Sequence, residues 1–365
     1  MKAWRLNSIG NIRLEDVELP KPEAGEVLIK VKAAGICGSD IPRIYDTGAH
    51  KMPLTPGHEF AGIVDGVGDE VSSEWVGKRV AVYPKIPCGK CYECRNGNPN
   101  MCETYDYVGS RRDGAFAEFV TAPASNLLVL PEDVGFEEAA MLEPLAVSGN
   151  AVRKAVNYGT PKKAPIVVCG LGTIGLMTLM LLIEAGYDNI YVIGNKPSQV
   201  EKVARLGISE DRFCNSRETS PVSWINSKVQ GGVKAYFECV GRNESISYGL
   251  DIAGSSGLIV LVGNPYSDMT FSRDTYWKIL RKQLVLNGIW NSSFAQVANE
   301  VIDAAMDGIN EAKIDDWNYV LGRMKDNKVK LNSLISHRFR IDDLEQGFQI
   351  MKNKTEDYCK VMMVI

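Results

Sequence analysis

Cys88, Cys91, Cys94 and Cys102 place four of the chain's nine cysteines within fifteen residues. Zinc prefers four tetrahedral ligands, and four thiolates close its coordination shell. A closed shell leaves no position for water or substrate, so this spacing predicts a structural zinc. Pro87, Gly89, Gly97 and Pro99 suit a loop folded around an ion. Reversible thiol oxidation is the other chemistry that such a cluster offers. An odd cysteine count in a chain with no secretory signal argues against a disulfide framework.

A second set is scattered. Cys37 sits in Gly-Ile-Cys-Gly-Ser-Asp, His58 and Glu59 in Gly-His-Glu, and Glu143 in Leu-Glu-Pro. One thiolate, one imidazole and carboxylates make an open zinc site. Taken singly, each residue has a plainer reading, as a buried thiol or a satisfied polar pair. Together, upstream of a nucleotide loop, they predict a catalytic metal. Zinc held there is a Lewis acid that lowers the pKa of a bound alcohol, or polarises a carbonyl in the reverse direction. Ser39, two residues after Cys37, is placed to accept the alcohol proton. Its other reading is a turn or helix N-cap.

The nucleotide loop is Gly170-Leu171-Gly172-Thr173-Ile174-Gly175, between an apolar run at 166–169 and a helical stretch. That context is what the pattern requires: glycines for the tight turn, for pyrophosphate approach and for helix–strand packing. The next strand should end in an acid that binds the adenosine ribose of NAD. Here it ends Val192-Ile193-Gly194-Asn195-Lys196, with glycine in the acid's place. No carboxylate repels a 2′-phosphate there, and Lys196 and Asn195 are placed to bind one. The cofactor expected is therefore NADP, with NAD as the alternative.

These residues need elements to position them. The first third carries short strand signals at 26–33, 79–83 and 115–121, punctuated by glycine and proline, as in a compact β-rich domain. From 166 onwards strands at 166–169, 191–193, 235–240 and 258–262 alternate with helical stretches, which predicts βαβ units and a parallel sheet. A helix at 342–351 and a strand at 360–365 close the chain. The fold class expected is α/β. The chain has 365 residues, 45% of them hydrophobic, and a net charge of −4, which gives no reason to expect nucleic acid or an anionic membrane as partner. The longest apolar stretch, about a dozen residues near 174–185, falls short of the roughly 20 that span a bilayer. A cytoplasmic protein is expected.

The motifs, in this order, resemble those of the zinc-containing medium-chain dehydrogenases, across essentially the whole chain. The resemblance implies a catalytic zinc on Cys37, His58, Glu59 and Glu143, a structural zinc on Cys88, Cys91, Cys94 and Cys102, and a nicotinamide cofactor on the glycine loop. The fold implied is a GroES-like catalytic domain from residues 1–150 and 291–365, with a Rossmann domain at 151–290 inserted. Three narrower stretches resemble the galactitol-phosphate branch: Cys37 to Arg43 running on to Gly48-Ala49-His50, Tyr105 to Gly114, and Lys278 to Lys282 before a strand ending at Trp290. Pro42 stands where polyol and threonine dehydrogenases often carry a histidine, and Gly194 stands where the NAD-using branch has aspartate. The substrate implied is a polyol phosphate, with an unphosphorylated polyol, threonine or another secondary alcohol as the alternative. A phosphate needs cations, and Arg43, His50, Arg111 and Arg112 are the candidates. The resemblance also implies a homodimer or homotetramer, paired through a strand at 284–289.

Overall fold

The computed structural model describes residues 1–296, 314–325 and 328–365. The chain divides into two compact units, residues 1–146 with 292–365, and residues 147–291. The sequence reading sets these edges at 150 and 290.

The first unit opens with a hairpin of β1 (Lys2–Ser8) and β2 (Asn11–Asp16), turned at Gly10 with φ of 76°. β3 (Glu26–Ile36) then runs through the middle of a seven-stranded sheet. The chain continues through β4 (Glu59–Val67), β5 (Arg79–Val82), the small pair β6 (Lys85–Ile86) and β7 (Asp106–Tyr107), then β8 (Phe119–Pro123) and β9 (Leu127–Val129). β3 meets β4 along most of its length and β8 at its start. Val27, Ile29 and Val31 are buried as the alternation predicts, and Lys30 is exposed. Glu26 departs from that alternation. It is buried because Arg112 reaches it at 2.6 Å.

The strand expected at 115–121 begins only at Phe119. The three residues before Ala117 are drawn off by another contact. The Gly114, Ala115 and Phe116 amides donate to the carbonyls of Thr55, Gly57 and Pro56, at 2.7–3.0 Å. That leaves Ala117 with a single bridge to Ala3.

The second unit is a six-stranded sheet. Its strands are β10 (Ile166–Cys169), β11 (Ile190–Gly194), β12 (Phe213–Asn215), β13 (Val233–Glu238), β14 (Ala253–Leu261) and β15 (Val285–Gly288). All neighbours are parallel, in the spatial order β12-β11-β10-β13-β14-β15. The order reverses between β10 and β13, the switch point at which such sheets bind nucleotides. The helix Thr173–Glu184 after β10 is apolar on nearly every face, with Leu176 to Leu182 all buried. Lys278 pairs with Asp251, and Lys282 donates to the carbonyls of Asp251 and Ala253 at 2.8 and 2.7 Å. Lys282 thus satisfies carbonyls at the end of the helix Asn243–Ile252, where positive charge is favoured, and Lys278 pairs with a carboxylate in the same last turn.

The chain returns to the first unit with β16 (Ile335–Phe339) and β17 (Lys360–Val364). β17 pairs antiparallel with β3, so both ends of the chain share one sheet and one core. Trp4 Nε1 donates to the Ile341 carbonyl at 2.8 Å, and its ring meets Phe348 edge-on. No described helix is long and apolar enough to cross a membrane.

Candidate metal centres and nucleotide loop

β3 delivers Cys37 just past its end, and β4 begins at Glu59, so their antiparallel pairing sets Cys37 beside His58 and Glu59. The ligand atoms of these three residues all lie within 4.8 Å of one another. His58 is buried, and its Nδ1 lies 3.4 Å from Asp40 Oδ1. The ring faces that carboxylate at ion-pair distance, without a hydrogen bond from Nδ1, in the place of an outer-sphere support for a histidine ligand. Asp40 is itself fully buried, accepts from the Cys37 amide at 3.0 Å and pairs with Arg43 at 2.5 Å. Burial works against the charged Asp40, but His58 and Arg43 overcome it and hold its carboxyl below the usual range.

Glu143, on the helix Leu142–Asn157, lies outside the close triplet but faces it. Its carboxylate takes the Tyr107 hydroxyl at 3.4 Å. Burial pushes its carboxyl up to about 7, while His58 acts against that rise. A buried carboxyl so weakly compensated is a group that a cation would satisfy. Glu59 is differently placed. Lys360, on β17, donates to its Oε2 and to the Ile36 carbonyl at 3.3 Å. Gly35 makes this possible, because a Cβ there would overlap the Glu59 carboxylate. The donor set of thiolate, imidazole and buried carboxylate fits zinc. Ser39 Oγ donates to Cys37 Sγ at 3.3 Å and makes no side-chain cap bond.

The second thiol set comes together in the loop between β6 and β7. The sulfurs of Cys88, Cys91, Cys94 and Cys102 lie within 4.8 Å of one another. The Cys88 amide donates to Cys102 Sγ at 3.2 Å, and the Cys91 amide to Cys88 Sγ at 3.4 Å. The Thr104 hydroxyl, with the amides of Lys90 and Cys91, pulls the Cys88 thiol down to about 6. Such donors favour the thiolate that a metal requires.

Ser39, Arg43 and His50 line one cleft of about 350 Å³. Burial lowers the His50 pKa, and the positive charges of Arg111 and Arg43 lower it further. Arg111 stacks on Tyr105 at 4.5 Å, and its buried Nε has no hydrogen-bond partner. Arg112 does not join them. It is held by Glu26 and by the Thr121 hydroxyl at 3.3 Å, and it lines a different cleft.

In the second unit the glycine loop follows β10 directly. Gly170 has φ of 93°, the left-handed region. A Cβ on Gly175 would overlap the Gly170 carbonyl, so only glycine lets the helix start this close to the strand. Among the described residues nothing lies within 4 Å of a Cβ built on Gly172, which leaves room for a ligand to approach. Thr173 and Ile174 form the first turn of the helix. β11 ends at Gly194, and the turn through Asn195 and Lys196 follows.

Asp40, Tyr107 and Lys360 were not singled out in the sequence. Asp40 carries a signal, an acid three residues after a candidate cysteine ligand. Tyr107 and Lys360 carry none, because their contacts cross 36 and 301 residues of chain.

Residues 23–132 match the alcohol dehydrogenase GroES-like domain, and residues 173–307 match the zinc-binding dehydrogenase domain. Galactitol 1-phosphate 5-dehydrogenase of Escherichia coli is 30% identical over 348 residues, covering 95% of each chain. L-threonine 3-dehydrogenase of Bacillus subtilis is 30% identical over 346 residues, covering 93% of this chain and 92% of its own. Among solved structures, galactitol-1-phosphate dehydrogenase from Escherichia coli superposes with a TM-score of 0.87 at 29% identity, over 100% of both chains. A zinc-binding dehydrogenase fold from Sinorhizobium meliloti, bound to NADP, gives 0.85 at 25% identity, over 100% of this chain and 99% of that one. An alcohol dehydrogenase from Escherichia coli complexed with NADH gives 0.83 at 26%, with the same coverage. Likeness of this extent, in sequence and in both folded units, makes the chain a member of the zinc-containing medium-chain dehydrogenases, an alcohol or polyol oxidoreductase that works with zinc and a nicotinamide cofactor.

Proposed function

We propose that this enzyme moves a hydride between NADP and a secondary alcohol of a polyol phosphate, with galactitol 1-phosphate as the type substrate. The observation that carries the reading is the cleft in which Arg43 and His50 stand with Ser39, two residues from Cys37, with the Arg111 charge bearing on His50. Asp40 neutralises Arg43 in part, but Arg111 keeps a buried, unpartnered Nε–H. A phosphate supplies the acceptors these groups lack.

When bound on Cys37, His58 and the neighbouring carboxylates, zinc supplies Lewis acidity to the substrate oxygen. Asp40 keeps the His58 ring oriented. Ser39 would relay the substrate's hydroxyl proton, releasing its own hydroxyl hydrogen to water in the cleft it lines as the substrate's proton arrives. Arg43 and Arg111, with the His50 ring as a further hydrogen-bonding group, fix the phosphate end and so align the reacting carbon. Arg112 has no part in this, since Glu26 already engages it.

NADP is favoured because Gly194 offers no carboxylate where NAD-binding sheets place one. The assembly is a homodimer or homotetramer, supported by β15, an outer strand with Val285 and Leu286 exposed at 37% and 39%. A cytoplasmic setting suits four zinc-binding thiols that must stay reduced.

The test is NADP⁺ reduction by the zinc-loaded enzyme with galactitol 1-phosphate and with galactitol, repeated with NAD⁺. The phosphate ester should win by orders of magnitude, with NADP⁺ preferred. Arg111→Ala should raise KM for the ester by about tenfold to a hundredfold, the loss expected for one charged hydrogen bond. It should leave galactitol unaffected. Equal rates with the free polyol, or turnover of threonine instead, would overturn the substrate assignment.

A further inference from the structure

Gln199 stands one turn into the segment after β11, and its side chain is 92% buried by exposure of only 8%. Its Oε1 accepts from the Asn195 amide at 2.9 Å and from the Lys196 amide at 3.1 Å. Its Nε2 donates to the Leu171 carbonyl at 3.3 Å. Two N–H donors at one end and a carbonyl at the other fix which way the amide lies. One side chain therefore ties the glycine loop, which faces the pyrophosphate, to the turn at the adenosine end of the site.

The same oxygen bears on Gly194. A Cβ at 194 would overlap Gln199 Oε1, and would lie 2.9 Å from Phe213 Cε2 and 3.1 Å from Leu171 Cδ1. The volume in which a ribose-binding acid would begin is thus already filled. Displacing Gln199 would break the hydrogen bonds from two backbone amides in a part-buried turn. Its carbonyl is neutral, so it occupies that place without the charge that would repel a 2′-phosphate.

We infer that Gln199 is a specificity-determining residue for the nucleotide, clamping the glycine loop to the 194–196 turn and barring an acid at position 194. The absence of aspartate at 194 is then enforced by packing. The inference rests on the NADP reading for its direction, but the clamp itself does not.

The experiment is calorimetric binding of NADP⁺ and of NAD⁺ to the full-length zinc-loaded enzyme, with variants Gln199→Ala, Gly194→Asp and Gly194→Asp/Gln199→Ala. Gln199→Ala should weaken both nucleotides about tenfold, the loss expected when both segments lose their tie. Gly194→Asp alone should bind neither nucleotide well. The double variant should bind NAD⁺ about tenfold or more tighter than Gly194→Asp does, because the closest overlap, with Gln199 Oε1, is then gone and only the Phe213 and Leu171 side chains need to shift. Overturning results are a Gly194→Asp enzyme that gains NAD⁺ as fully as the double variant, or a Gln199→Ala enzyme that binds both nucleotides like wild type. If Gly194→Asp fails to fold, Gln199→Ala still decides the clamp. A wild-type enzyme that prefers NAD⁺ would sink the NADP reading, while the comparison of single and double variants still judges Gln199.

Discussion

Asp40 shows how much a metal centre depends on groups that touch no metal. It holds the Cys37 amide, the His58 ring and the Arg43 guanidinium from one buried carboxylate. Asp40→Asn keeps the shape but gives up the charge that fixes the imidazole. Zinc affinity, measured by competition with a chelator, should fall by about tenfold to a hundredfold, as for other outer-sphere partners. Unchanged zinc retention would show that the ring is oriented by packing alone. Cys37, His58 and Glu59, which the fold brings together, each lie in a short local motif, as does Glu143 outside that triplet. What the sequence did not disclose is how the two glutamates differ. Glu59 is committed to Lys360, whereas Glu143 sits against Tyr107 with its carboxyl raised by burial. That difference depends on β17 reaching β3, a contact between opposite ends of the chain.

Besides its sulfurs, the loop from Cys88 to Cys102 is held by short-range hydrogen bonds and by Lys85 donating to the Asn100 carbonyl. It contains one short helix, Tyr92–Arg95, and one turn of 3-10 helix, Pro99–Met101. Tyr92 and Met101 are exposed at 68% and 47%, so the loop buries little apolar surface of its own. Structural zinc contributes folding energy directly, about 10–16 kcal/mol in small zinc-dependent peptides. Cys94→Ser should therefore release one zinc per chain, lower Tm and open the loop to protease. Nucleotide binding by the second unit should persist. A variant with wild-type protease resistance and full zinc content would contradict the structural role. The loop was legible because four ligands in one segment leave few other readings. The strand expected at 115–121 was not, because what shortens it is the turn around Gly57, which no local pattern announces.

In the whole molecule, β15 is an outer strand of the parallel sheet, and the helix Arg273–Arg281 precedes it in the chain. Among the residues there, Tyr276, Leu280 and Trp290 are 56%, 59% and 52% exposed. Leu286→Lys places a charge in the middle of that edge, a device by which proteins keep strands from pairing. Sedimentation should show the wild type as an oligomer and the variant as a smaller species. A monomeric wild type, or a variant of unchanged mass, would rule out this strand as the contact. The alternation of strands and helices made the second unit's architecture readable. The first unit was less so, since its sheet is assembled from segments separated by the whole of the second. That arrangement carries a consequence for biosynthesis. β17 leaves the ribosome only after the second unit has been made, and domains fold as units during synthesis. The nascent nucleotide unit can close while β3 still waits for its neighbour and Glu59 for its lysine. A metal taken up on Cys37 and His58 before then would meet a centre one strand short of completion, so the order of translation delays maturation of the catalytic half to the end.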